Sequence, residues 1–166
     1  MRLTTALLAL LPLATACGSS SDPAELTSTA SRAISTGDFA TAKADFDAAL
    51  EAIGEDAQHP DYLRAKMGAI EARTKDEAKA AVSMFLALHK KLPDKVTAAD
   101  FNLIGGRLGS AGNFDEAIEL ASAGKAAFPD SSHLDTLVQQ LGDAAQASGS
   151  SEALKMLEGL GYVGNN

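Results

Sequence analysis

Tryptophan is absent from this chain, and aromatic residues make up only 5% of it, six Phe and two Tyr. Large flat side chains of the kind that favour sheets are therefore scarce. The apolar share is nonetheless 46%, so alanine and leucine carry it, and that suits close-packed helices better than strands. Cysteine occurs once, at Cys17, which excludes an intramolecular disulfide. Five prolines and fourteen glycines are few enough for an ordered chain, and the glycines fall at expected turns. Basic residues are outnumbered, 14 against 22 acidic, for a net charge of −8. Such a chain is repelled by nucleic-acid backbones and anionic head groups. Its only basic cluster is Lys90-Lys91, so nucleic acid is not an expected partner.

Long apolar runs are also missing. The nearest is Leu3 to Ala14, interrupted by Thr4, Thr5 and Pro12. It is too short for a bilayer core of about 30 Å, which takes about 20 apolar residues. With Arg2 before it and small residues after it, it reads as a secretory signal over residues 1–16. The run Leu13-Ala14-Thr15-Ala16-Cys17-Gly18-Ser19 resembles the lipobox of bacterial lipoproteins. It departs from that pattern in having Ala14, not a large aliphatic residue, three places before the cysteine. The resemblance implies cleavage before Cys17, a lipidated N-terminal cysteine and a short tether over residues 17–22. Two or three acyl chains hold a protein on a membrane stably. Gly18, where an aspartate could stand, implies export to the outer membrane more than retention at the inner one. The competing reading is an ordinary signal peptide cut near Ala16, leaving a free thiol.

Residues 23–163 read as helices in pairs. Asp22-Pro23-Ala24-Glu25 is a helix start, with a capping side chain followed by proline in the first turn. The first pair is expected at 23–35 and 38–53, the second at 61–73 and 75–91, the third at 97–110 and 114–127, and the fourth at 132–148 and 151–160. Thr74 with Glu77, Thr97 with Asp100 and Ser132 with Asp135 have capping-box spacing. An alanine recurs in each second helix, at Ala42, Ala81, Ala117 and Ala153, at intervals of 39, 36 and 36. Four residues later come Phe46, Phe85, Ala121 and Leu157. Gly161-Tyr162-Val163-Gly164 is a short apolar end, a candidate lid on the last helix.

The stretch Gly112-Asn113-Phe114-Asp115-Glu116-Ala117-Ile118, with Ala121, Gly124 and Pro129, resembles the turn and second helix of a tetratricopeptide repeat. That resemblance implies an all-α fold, an α-solenoid of about four antiparallel helix pairs. A helical bundle of the same alanine content is the rival. It further implies a concave surface, lined by the first helix of each pair, that holds a protein or peptide partner. The inward residues implied are Thr27, Ser31 and Ile34, then Leu63, Lys66, Ile70 and Arg73, then Asn102, Gly106 and Ser110, then Val138, Gly142 and Ala145. Lys66, Ile70, Arg73 and Asn102 are the partner-binding candidates. Lys66 and Arg73 stand two helical turns apart, with Asn102 in the next pair to help hold a carboxylate or a carbonyl.

Nothing in the chain spells out a reaction. His59, His89 and His133 lie far apart with no ligand partner at metal spacing. Ser131-Ser132-His133-Leu134-Asp135 holds the residue types of a hydrolase triad, but neighbours on one helical turn cannot converge as a triad does. Gly105-Gly106-Arg107-Leu108-Gly109 has no strand before it and so fails the context test of a phosphate loop; these glycines are expected to let helices approach. No enzyme activity and no cofactor are expected. The expected protein is a lipid-anchored adaptor of the bacterial cell envelope, facing the periplasm. The alternative is a small helical ligand-binding protein or enzyme of the periplasm. Mass spectrometry of the mature N-terminus tests the leader reading. An acylated Cys17 is expected, and Cys17→Ala should move the protein out of the membrane fraction.

Overall fold

The computed structural model describes residues 22–162, and they are helical throughout apart from turns. The signal segment, Cys17 and most of its tether, and Val163 and Gly164 of the expected lid, lie outside the described residues. Eight helices follow in order among the described residues: α1 (Pro23–Thr36), α2 (Phe39–Ile53), α3 (Tyr62–Glu71), α4 (Ala78–Lys91), α5 (Ala98–Ser110), α6 (Phe114–Ala127), α7 (Ser132–Ser148) and α8 (Ser151–Gly159). The fold is all-α, as the alanine-rich composition predicts.

Glycine ends three of the odd-numbered helices in the same way. Gly37, Gly112 and Gly149 have φ of 81°, 82° and 72°, a region that costs an L side chain about 1 kcal/mol or more. Gly37 N–H donates to Ile34 O and Asp38 N–H to Ala33 O, and the pattern repeats at Gly112 with Asn113 and at Gly149 with Ser150. These bonds satisfy the last carbonyls of each helix and turn the chain within two or three residues. The second pair has no such glycine. There α3 stops at Glu71, two residues before the expected Arg73, and α4 begins at Ala78, not Lys75. The Thr74–Glu77 capping box does not form. Thr74 is buried and its Oγ1 donates to Glu71 O at 2.8 Å, while Glu77 is drawn away by Lys43 and Arg73. The Thr97–Asp100 box does form. At α7 the cap position is Ser131, and Asp135 instead takes Lys125 Nζ at 2.9 Å.

Helix contacts run between near neighbours in the chain. Within pairs, α1 meets α2, α3 meets α4, α5 meets α6 and α7 meets α8. Odd-numbered helices also touch in succession, α1 with α3, α3 with α5 and α5 with α7, as do α4 with α6 and α6 with α8. All four register alanines are buried, and so are Phe46, Phe85, Ala121 and Leu157. Each large buried side chain contributes roughly 1.5–3 kcal/mol of transfer free energy. Phe85 packs edge-on against Phe101 with centroids 4.7 Å apart, joining α4 to α5. Tyr162 packs on the same cluster beyond α8. The core forms two clusters, a small one around Ala30, Phe46 and Ala69 and a larger one that runs from Tyr62 and Ile70 to Leu157.

Small residues set how near the helices come. A Cβ on Gly68 would stand 2.1 Å from Phe46 Cζ, one on Gly105 2.7 Å from Leu137 Cδ2, and one on Gly109 2.5 Å from Leu141 Cδ2. Gly124 gives way in the same manner to Phe101 and Leu134. Gly68→Ala is therefore expected to lower stability by about 1–3 kcal/mol through overpacking, and Phe46→Leu in the same chain should recover part of that loss. Urea unfolding of the two variants checks both.

Candidate functional site

The close approach of α5 and α7 leaves a groove along their outer seam. Gly105 and Gly109 face Leu137 and Leu141, one helical turn apart on each side. Gly106, the next position round α5, faces open space with no atom within 4 Å of where its Cβ would stand. The groove encloses about 470 Å³ and is lined by Asn102, Leu103, Gly106, Arg107, Gly109, Ser110, Gln140, Leu141 and Ala144. That is within the usual range of ligand sites, roughly 300–1,000 Å³.

Its lining mixes apolar and uncharged polar side chains with one arginine. Leu103 is 45% exposed, one of two large apolar residues so exposed among those described. Asn102, Ser110 and Gln140 line the groove, and their side chains have no hydrogen-bond partner among the described residues, so amide and hydroxyl groups stand ready at its walls. Arg107, half exposed, pairs with Glu71 of α3 at 2.9 Å and ties the groove to the preceding pair. The lining includes no imidazole, thiol or carboxylate. It offers donors, acceptors and an apolar floor, and no acid–base pair. Among the described residues there is also no cluster of His, Cys, Asp or Glu that could hold a metal. No helix there is long and apolar enough to cross a membrane.

The four candidate partner-binding residues are not brought together. Asn102 lies in the groove, as do Gly106 and Ser110 from the same set. Ile70 is fully buried in the larger core cluster and offers nothing to a partner. Arg73 sits beyond the end of α3, so it does not share a helix face with Lys66. Its side chain is 12% exposed; Nη2 meets Asp47 Oδ2 at 2.6 Å, Nε meets Glu77 Oε2 at 3.3 Å and Nη1 donates to Ala69 O at 2.9 Å. That guanidinium is a structural stitch. Lys66 leans over Tyr62 instead, its Nζ 5.6 Å from the ring centroid. From the other implied inward positions, Thr27, Val138, Gly142 and Ala145 are buried. On α7 the groove uses Gln140 and Ala144.

Arg107, Leu103 and Gln140 were not among the expected residues. Leu103 had a signal: an apolar side chain between polar Asn102 and buried Ile104, off the apolar stripe of α5. Gln140 had none, because its place depends on how α7 rolls against the glycines.

Comparison of the chain with family models, with curated proteins and with solved structures finds no match. The groove is therefore read from its own geometry. Gly106 stands in open space, so Gly106→Ala is expected to stabilise the protein by about 1 kcal/mol through helix propensity. Gly105→Ala, facing Leu137, should do the opposite. Denaturant midpoints of the two variants give the test.

Proposed function

We propose that this protein is a lipid-anchored adaptor of the bacterial cell envelope, built as a tetratricopeptide-like α-solenoid, whose α5–α7 groove holds an extended segment of a partner protein. The solenoid reading rests on the stepwise contacts between helices one or two places apart, the buried alanine register and the repeated glycine turns. Contacts of this nearest-neighbour kind are what stacked repeats make. The anchor reading rests on the sequence around Cys17 and Gly18, which together point to the periplasmic face, of the outer membrane in preference to the inner.

The observation that carries the peptide reading is the set of uncommitted polar groups beside an exposed leucine and a vacant glycine. An extended chain brings its own N–H and C=O groups to a surface and needs partners for them. Asn102, Ser110 and Gln140 supply such partners. Gly106 leaves room for a guest backbone to lie against α5, and Leu103 gives an apolar contact for one side chain.

The test is site-specific photo-crosslinking of the membrane-bound protein. A crosslinker at Leu103 should form one discrete adduct. Gly106→Leu, whose Cβ meets no atom within 4 Å and whose longer side chain enters the groove, should remove that adduct while leaving the helical content intact, and Asn102→Ala should weaken it. An adduct that survives Gly106→Leu removes the groove as the binding site.

A further inference from the structure

A second hollow lies between α3, α4 and the loop that follows α2. It shares no lining residue with the α5–α7 groove. We propose that it binds a small carboxylate with a short apolar tail, and that Glu55 fills its charged end until such a ligand displaces it.

The hollow encloses about 260 Å³. Tyr62, Met84, Ala87 and Leu88 form an apolar wall, and Lys66, Lys91 and Glu55 stand at the rim. Lys91 Nζ donates to Glu55 Oε2 at 2.6 Å and to Tyr62 Oη at 3.0 Å, and lies 4.8 Å from the Tyr62 ring centroid. Lys66 approaches the same ring. Lys91 thus holds the Glu55 carboxylate and the Tyr62 hydroxyl together, with the Lys66 ammonium near the same ring, at the mouth of an apolar space too small for anything but a short tail. In a chain of net charge −8, this is a local excess of positive charge once Glu55 leaves.

Glu55 is held loosely enough to leave. Its side chain is 82% exposed, and it follows Gly54, whose φ of 68° marks a sharp change of direction after α2. The hydrogen bond from Lys91, then the charges of Lys91 and Lys66, hold the Glu55 carboxyl below its usual range. The same bond, followed by that to Tyr62, pushes Lys91 above the usual lysine range. A carboxylate is therefore the group this rim favours, and Glu55 shows the position a ligand's carboxylate takes. Because exposed ion pairs contribute little to stability, an incoming carboxylate with a tail to bury has the advantage over one without.

The ligand could be a free short-chain acid or the last residue of a peptide, and the probes separate them. Hexanoate stands for the first and N-acetyl-leucine for the second, with hexanamide and N-acetyl-leucinamide as uncharged controls. The full mature chain in nanodiscs, labelled at methionine methyls, reports through Met84. A shift with either carboxylate and not with its amide supports the site and names the source. Glu55→Gln should tighten that binding about tenfold if Glu55 occupies the site nine-tenths of the time. Lys66→Gln should weaken it with little change in the unfolding midpoint, because the one contact of the Lys66 ammonium among the described residues is its approach to the Tyr62 ring. Equal shifts with the amides, an unchanged affinity in Glu55→Gln, or no shift from either carboxylate up to its solubility limit overturns the proposal.

Discussion

Everything in this molecule depends on how closely its helices approach. A chain with few aromatics has few large side chains with which to fill wide gaps between helices. Its alternative is to remove side chains at the contact and let backbones come near. Gly68 admits Phe46, Gly105 and Gly109 admit Leu137 and Leu141, and Gly124 admits Phe101 and Leu134. Each such glycine costs about 1 kcal/mol of helix propensity against alanine. The buried leucine or phenylalanine opposite contributes roughly 1.5–3 kcal/mol, so the exchange favours the contact. The groove between α5 and α7 is a by-product of the same rule, since a seam closed over glycine is necessarily low along its outer edge.

The pairing of helices was legible because it is written locally. Turn glycines, the recurring alanine and the residue four positions later need only their own segment to be read, and seven of the eight helices begin within one residue of where that reading puts them. The exception is α4, where the box Thr74–Glu77 lost its glutamate to Lys43 and Arg73. Those partners come from another helix and from the preceding turn, and spacing does not show them. Ile70 was misplaced for a related reason. A repeat template assigns faces by position, whereas α3 is touched by α1, α2, α4 and α5, and an apolar residue surrounded on so many sides goes inward. Asn113 was expected only as part of a turn. Its amide reaches back to Thr74 O at 2.8 Å and Lys75 O at 3.2 Å, a contact visible only once the third pair is stacked on the second.

Charge in this acidic chain is used mainly as stitching between successive pairs. Lys43 meets Glu77, Arg73 meets Asp47, Lys91 meets Glu55 and Arg107 meets Glu71. Lysine and arginine are the scarcer partners, and in these four ion pairs they sit where successive pairs meet. Singly, exposed pairs of this kind are worth at most about 1 kcal/mol. Collectively they favour one register of each pair against its neighbour, because a shift of one turn would break all four.

The division of the core into two clusters has a mechanical consequence. Helices α1 and α2 bury their apolar faces mainly with one side of α3, and partly buried Ile53 and Met84 bridge the smaller cluster to the larger. Where contacts are so local, opening proceeds by peeling from an end instead of all at once. A chain pulled from its N-terminal side is therefore expected to lengthen first at its leading hairpin, whose small cluster is joined to the larger one by partly buried Ile53 and Met84.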